Sequence, residues 1–248
     1  MKRNISFVNH KGGVAKTTSA VNIGAALHSL GKKVLLIDLD PQANLTINFG
    51  KDPMTEKNIY LALKGKYSLP VISIKPGLDI VCSTLDLSVA ELELSSTAGR
   101  EYLLKELVEP VQDNYDYILY DCPPSLTFLT MNALAVSDTT IIPVDLQQFG
   151  LAGMKTIFDI MDTIRKRINP GLGKPHILVC RKDIRKSIQN ELHKILQERK
   201  DILMFNTYIR SNVKIEESQV AHLDIFSYSP DSTVASEYLE AAKEIINL

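Results

Sequence analysis

The sequence predicts an α/β fold: a single doubly wound, mostly parallel sheet flanked by helices, with residues 1–248 forming one domain. Three observations carry this. Short, uninterrupted apolar runs recur along the chain, as strands buried on both faces require. Segments of helical period alternate with them. The first run enters a Gly-Gly turn that opens directly into a helix, the start of a strand–helix–strand unit. At 248 residues, 45% hydrophobic and 23% charged, the chain is long enough to bury a full core. No apolar run approaches the roughly 18 residues of a membrane span, and the chain enters a strand at once, so neither a span nor a leader is expected. Cys82, Cys122 and Cys180 lie far apart with no C-x-x-C, which argues against a zinc knuckle or a disulfide framework and fits buried thiols in a reducing cytoplasm.

Taken in order, Ile5-Ser6-Phe7-Val8 is the first strand, and Lys11-Gly12-Gly13-Val14-Ala15-Lys16-Thr17-Thr18 follows it. Gly12 and Gly13 permit a sharp turn that exposes backbone N–H groups to an anion. Lys16 offers an ammonium to β- and γ-phosphates, and Thr17 a hydroxyl to Mg²⁺. Thr17–Leu30 reads as a helix stopped by Gly31, its positive end aimed at the same point. The loop departs from G-x-x-x-x-G-K-[ST]. It lacks the first glycine, carries Ala15 in place of the second, and adds Lys11 at its head. If position 15 needs a backbone that favours glycine, the methyl group costs about 1 kcal/mol, a several-fold loss of nucleotide affinity.

Lys33–Leu39 is a continuous apolar run leading into Asp38-Leu39-Asp40-Pro41-Gln42. Carboxylates at the carboxyl end of a buried strand stand where open α/β sheets place ligand chemistry. A dinucleotide-binding fold fails on the loop, which has no G-x-G-x-x-G. Residues 51–112 are weakly patterned: short strands at Val71–Ile74 and Leu78–Ser83, helical pieces at Leu85–Leu94 and Arg100–Val108, and no chemistry assigned. Tyr115–Asp121 is another buried strand, ending in an acid that can reach Mg²⁺ directly or through water. Pro123-Pro124 stiffens the exit toward a helix starting near Ser125. Strands follow at Thr139–Val144, His176–Cys180 and Thr207–Ile209, with helices at Leu151–Ile168, Ile184–Arg199, Val213–Ala221 and Ser232–Ile246.

In this order and spacing, Lys11 to Thr18, Asp38 to Gln42, and Asp121-Cys122-Pro123-Pro124-Ser125 resemble the ParA/MinD superfamily of deviant Walker A ATPases. The short, chromosomal (Soj-like) ParA type is the nearest pattern, over essentially the whole chain. The resemblance implies a P-loop NTPase without an N-terminal helix-turn-helix extension. It implies ATP and Mg²⁺ as ligands and an ATP-dependent sandwich homodimer that binds DNA non-specifically. Hydrolysis would be weak alone and stimulated by a ParB-like centromere-binding partner, driving chromosome or plasmid segregation in the cytoplasm, on the nucleoid. By the same resemblance Lys11 reaches the partner's γ-phosphate and Gly12 lies where the subunits approach. Gly13, Val14, Ala15, Lys16, Thr17 and Thr18 surround the phosphates, and Asp40 orients the attacking water. Thr17, Asp38 and Asp121 surround the metal. Arg210 and Asn212 lie where the family contacts the base, although the usual Pro before Arg is missing.

Charge distribution supports a polyanion face. Arg165–Lys214 carries 13 Lys+Arg against 4 Asp+Glu, a net +9, leaving −10 for the remainder. Arg185 and Lys186, expected to open a helix, together with Arg210 and Lys214, form the candidate DNA contacts. Four alternatives have stated discriminators. A MinD-like membrane-cycling ATPase needs a basic amphipathic tail, whereas the tail from Glu237 to Leu248 is net acidic, so no membrane partner is expected. An iron-cluster carrier needs a second cysteine beside Cys122. A positioning ATPase for protein cargo differs only in its partner. A non-catalytic DNA-binding module is opposed by the joint presence of Lys11, Lys16, Asp40 and Asp121.

Overall fold

Strands β1 (Arg3–Phe7), β2 (Val34–Asp38), β3 (Val71–Lys75), β4 (Leu78–Val81), β5 (Tyr117–Asp121), β6 (Thr139–Asp145), β7 (His176–Cys180) and β8 (Leu203–Met204) join in one sheet. Their order is β3-β4-β2-β5-β1-β6-β7-β8. Every pairing is parallel except the β3–β4 hairpin. The computed structural model describes residues 3–147, 151–199 and 202–248, the side chains of 151–153 excepted.

The helices are α1 (Lys16–Ser29), α2 (Asn44–Asn48), α3 (Ile59–Leu63), α4 (Ala90–Glu93), α5 (Leu103–Val108), α6 (Phe128–Val136), α7 (Leu151–Arg167), α8 (Ser187–Gln197), α9 (Val213–Val220), α10 (Ile225–Tyr228) and α11 (Thr233–Ile246). Alternation along each strand divides the core in two, because successive side chains point to opposite faces. Leu35, Ile37, Ile118, Tyr120, Ile142, Val144, Ile177 and Val179 pack with α3, α5, α6 and α7. Val34, Leu36, Tyr117, Leu119, Ile141 and Leu178 pack with α1 and α11 on the other face. The continuous apolar runs are therefore strands covered on both sides. Helix α1 rides directly on β2: a Cβ at Gly24 would come within 2.7 Å of Leu36 Cδ2, so glycine is required there for close packing.

Three expected elements are corrected. The strand expected at Thr207–Ile209 lies instead at Leu203–Met204, paired with His176 and Ile177. The N–H groups of Asn206 and Thr207 are taken by the Glu244 carboxylate at 2.8 Å each, so the pairing with β7 lapses there and resumes only at Ile209, whose N–H donates to the Val179 carbonyl at 2.8 Å and whose carbonyl accepts from the Lys182 N–H at 3.0 Å. Helix α8 begins at Ser187 rather than Ile184, because Asp183 accepts from the Arg185 N–H and holds residues 183–186 as a turn. The helix expected near Ser125 begins at Phe128. Helices α2, α3 and α10 were not anticipated; all three are short, too short for a periodic pattern to show.

Candidate active site

The phosphate-binding loop sits beyond the carboxyl end of β1, flanked by the ends of β5 and β6. Its base is tied down by Asn9, whose amide donates to the Pro143 carbonyl at 2.8 Å and whose Oδ1 accepts from the Lys11 N–H at 3.1 Å. Gly13 takes a left-handed backbone (φ 74°), and so does Ala15 (φ 69°). The glycine-favouring geometry at position 15 is thus present, carried by a residue with a methyl group. Helix α1 starts immediately after, with no side-chain cap and no acid in its first turn. Its first N–H groups remain available to an anion. Lys16, buried, donates across the loop to the Lys11 carbonyl at 3.0 Å. Burial pulls its ammonium pKa down, and the Asp121 and Asp40 carboxylates oppose that shift.

Facing the loop are three acids on neighbouring strand ends. Asp38 and Asp121 are register partners across β2 and β5, and both are fully buried. Asp38 is committed within the chain. It accepts from the Asp40 N–H at 3.1 Å, the Thr46 N–H at 2.8 Å and the Thr46 hydroxyl at 2.7 Å. Burial nevertheless pushes its carboxyl up to about 7. Asp38, expected next to the metal, here anchors the loop from Asp40 to Thr46. Asp121 differs: neither carboxylate oxygen has a hydrogen-bond partner among the described residues. Burial and the Asp38 charge raise its pKa well above the carboxylate range, and the nearby Thr17 hydroxyl tempers this without reaching hydrogen-bond geometry. Asp40, almost buried, accepts from the Gln42 N–H at 3.0 Å; burial raises its pKa and Lys16 partly offsets it.

A buried, unpartnered carboxylate beside a second carboxylate is costly unless a cation arrives. The donor set fits magnesium, which takes one or two carboxylates and completes its shell with phosphate oxygens and water. Among the described residues no three His, Cys, Asp or Glu side chains gather into a metal cage.

A cavity of about 520 Å³ opens onto this point, lined by Gly12, Gly13, Ala15, Lys16, Thr17, Thr18 and Asp40 on the phosphate side. The rest of its wall includes Arg181, Arg210, Asn212 and Gln219. Arg210, named in the sequence for both base and DNA contact, is on this wall, ion-paired to Glu237 through its guanidinium and bonded to it through its N–H at 2.9 Å. Asn212 caps α9 through Oδ1. Lys11 and Val14 do not line the cavity, and Val14 is buried. Residues that the motifs did not name complete the wall. Arg181, left-handed at φ 55°, donates to the Gly13 carbonyl at 3.1 Å. Gln219 donates to Thr18 Oγ1 at 3.0 Å, joining α9 to α1. Neither carries a local signal, because each acts on a residue far away in sequence.

The expected DNA residues are mostly paired. Arg185 is highly exposed and forms a two-point contact with Asp183 at 2.9 and 3.0 Å. It precedes α8 instead of opening it. Lys214 bonds Glu217 at 2.8 Å. Lys186 is exposed, at the position just before α8.

The AAA domain family matches residues 2–174. The sporulation initiation inhibitor protein Soj of Bacillus subtilis is 36% identical over 249 residues, covering 99% of this chain and 98% of that protein. The chromosome partitioning protein ParA of Caulobacter vibrioides is 33% identical over 251 residues, covering 99% of this chain and 94% of that protein. Among solved structures, cobyrinic acid a,c-diamide synthase of Mycobacterium smegmatis, with bound ATP analog and magnesium, superposes with a TM-score of 0.89 at 29% identity. That match covers 100% of this chain and 95% of that one.

Proposed function

The chain belongs to the AAA domain family and is a ParA/MinD-type protein with Soj-like relatives, and on that premise we propose that it is a partition-type ATPase. It binds ATP with Mg²⁺ and hydrolyses it to ADP and phosphate. The observation that carries this reading is the orphaned Asp121 carboxylate, fully buried and within electrostatic reach of Lys16, which lines the cavity. The phosphates lie against the loop N–H groups and the start of α1, with Lys16 turning from the Lys11 carbonyl to them. Magnesium, when bound, offsets the phosphate charge; Thr17 and Asp121 are its protein-side partners, and Asp38 holds their surroundings in place. Asp40, whose carboxylate accepts from the Gln42 N–H through Oδ1, orients the attacking water. Arg210 and Asn212 approach the base from the cavity wall.

The ATP-bound form is a sandwich homodimer in which Lys11 serves the partner's γ-phosphate, as an arginine finger does in trans. A Cβ at Gly12 meets nothing within 4 Å in its own chain, so Gly12→Val should fold and bind nucleotide yet fail to dimerise. The dimer binds DNA without sequence preference through Lys186, Arg185, Lys214 and Arg210, sits on the nucleoid in the cytoplasm, and responds to a ParB-like partner. No helix among the described residues is long and apolar enough to cross a membrane.

The test is ATP hydrolysis by wild type and Asp40→Ala, with DNA and candidate partner proteins. Turnover should fall on the order of 100-fold or more in the variant, with ATP binding kept within a few-fold. No hydrolysis by wild type under any of these conditions would sink the enzyme assignment.

A further inference from the structure

Arg181 lines the cavity with its charge unmatched. Among the described residues its guanidinium makes one hydrogen bond, from Nη1 to the Gly13 carbonyl at 3.1 Å, and it takes part in none of the ion pairs. The two polar residues expected at a base are already committed. Arg210 holds Glu237 through its guanidinium, and Asn212 Oδ1 accepts from the Lys214 N–H at 2.9 Å. Of these three side chains, Arg181 is the one with most of its donors and its whole planar face still open.

Its backbone is fixed in an unusual way. Arg181 follows β7 in the left-handed region (φ 55°), which L side chains rarely adopt and which surrounding bonds must hold. Here they do: the Ile209 N–H donates to the Val179 carbonyl at 2.8 Å, and the Lys182 N–H to the Ile209 carbonyl at 3.0 Å. Lys182 is buried with its ammonium 4.2 Å from the Tyr208 ring centroid, while Arg181 stays on the cavity wall. The wall it shares is apolar in Cys180, Ile209, Ile215 and Tyr238. Phosphate oxygens gain nothing from such groups, whereas a flat aromatic ring does. A guanidinium is itself flat and stacks on ring faces. Held by one edge on Gly13, it keeps that face for a ring.

We propose that Arg181 is a specificity-determining residue of the nucleotide site, its guanidinium plane stacking on a purine base while Nη1 stays on the Gly13 carbonyl. This rests on the reading of the cavity as an ATP site and adds to it a preference for two-ring bases, which offer the larger face for stacking.

The experiment is calorimetric titration of the full chain, in magnesium, with ATP, UTP and inorganic tripolyphosphate, for wild type, Arg181→Ala and Arg181→Lys. Wild type should prefer ATP to UTP about fivefold or more. Arg181→Ala should weaken ATP about tenfold and shrink that preference. It should keep tripolyphosphate within about twofold, because the phosphate loop and its lysine remain. Arg181→Lys, which keeps the charge but not the plane, should recover only part of the ATP affinity. Equal losses for all three ligands would make Arg181 a brace or a phosphate contact and overturn the proposal. Full rescue by lysine overturns it as well, since charge alone would then suffice. A wild type that binds ATP and UTP equally loses the stacking role and keeps its triphosphate site. A wild type that binds none of the three loses the ATP reading too.

Discussion

The carboxyl ends of β2 and β5 and the basic stretch Arg165–Lys214 both stand out in the sequence by charge, and the fold treats them in opposite ways. At the strand ends, Asp121 is buried beside Asp38 with both oxygens unpartnered. In the basic stretch, Arg165 pairs with Asp162, Arg185 with Asp183, Arg210 with Glu237 and Lys214 with Glu217. Ion pairs at the surface contribute little to stability and mainly order their surroundings. Charge that a folded chain leaves uncompensated is held for a ligand; charge that it has already matched must first be released. The strand-end acids are therefore poised for a cation, while the proposed DNA contact would rest most on Lys186, which is exposed just before α8.

Asp121→Asn should produce the largest effects, in two opposite directions. Removing one of two facing buried carboxylates should raise the melting temperature of the unliganded chain, because a like-charge conflict disappears. The same change should weaken magnesium-dependent nucleotide binding on the order of 10–100-fold. A lower melting temperature with unchanged affinity would erase the contrast drawn here.

Reversing Arg185 and Lys186 together to Glu should weaken DNA binding roughly tenfold at low salt, with the difference shrinking as salt rises. Titration at several ionic strengths, alongside a check that ATP-dependent dimers persist, measures it. No change at any salt would mean that this turn takes no part in DNA contact.

Ala15→Gly should relieve about 1 kcal/mol of backbone strain, seen as a higher denaturation midpoint and several-fold tighter nucleotide binding. An unchanged midpoint would show that the loop absorbs the methyl group without strain.

A pH-dependent effect lies in the basic half. His193 is buried 2.6 Å from the Lys182 ammonium. Burial and that charge lower its pKa from 6.5 to about 4. The folded state then binds fewer protons than the unfolded state between those values, so this contribution is complete above pH 6.5 and lost as pH falls toward 4. Comparing melting temperatures of wild type and His193→Gln across that range should show a flatter acid slope in the variant. Parallel profiles would place the acid sensitivity elsewhere.

Much of the fold was legible because it is written in contiguous residues. Val-Leu-Leu-Ile from Val34 and Ile-Leu-Val from Ile177 are strands covered on both faces, and no other element accommodates such runs as simply. The helix over Lys16–Ser29 and its terminating Gly31 were equally plain. The edge of the sheet was not. Thr207-Tyr208-Ile209 has strand-forming residues, yet Glu244, on the last helix, takes the N–H groups at Asn206 and Thr207. A side chain 37 residues away decided that segment. The start of α8 failed for a similar but local reason, the Asp183 turn.

The site divides along the same line. Lys11 to Thr18, the acids at Asp38, Asp40 and Asp121, and even the left-handed requirement at Ala15 follow from neighbouring residues, whose geometry a short motif determines by itself. Which acid keeps free oxygens was decided only in three dimensions. Thr46 saturates Asp38, while among the described residues no donor reaches hydrogen-bond geometry at Asp121, although strand register sets the two side by side. The pairing of the basic stretch and the hold of Arg181 on Gly13 belong to the tertiary structure for the same physical reason. Compensation and exposure are relations between groups brought together by folding, and no single stretch of sequence contains both members.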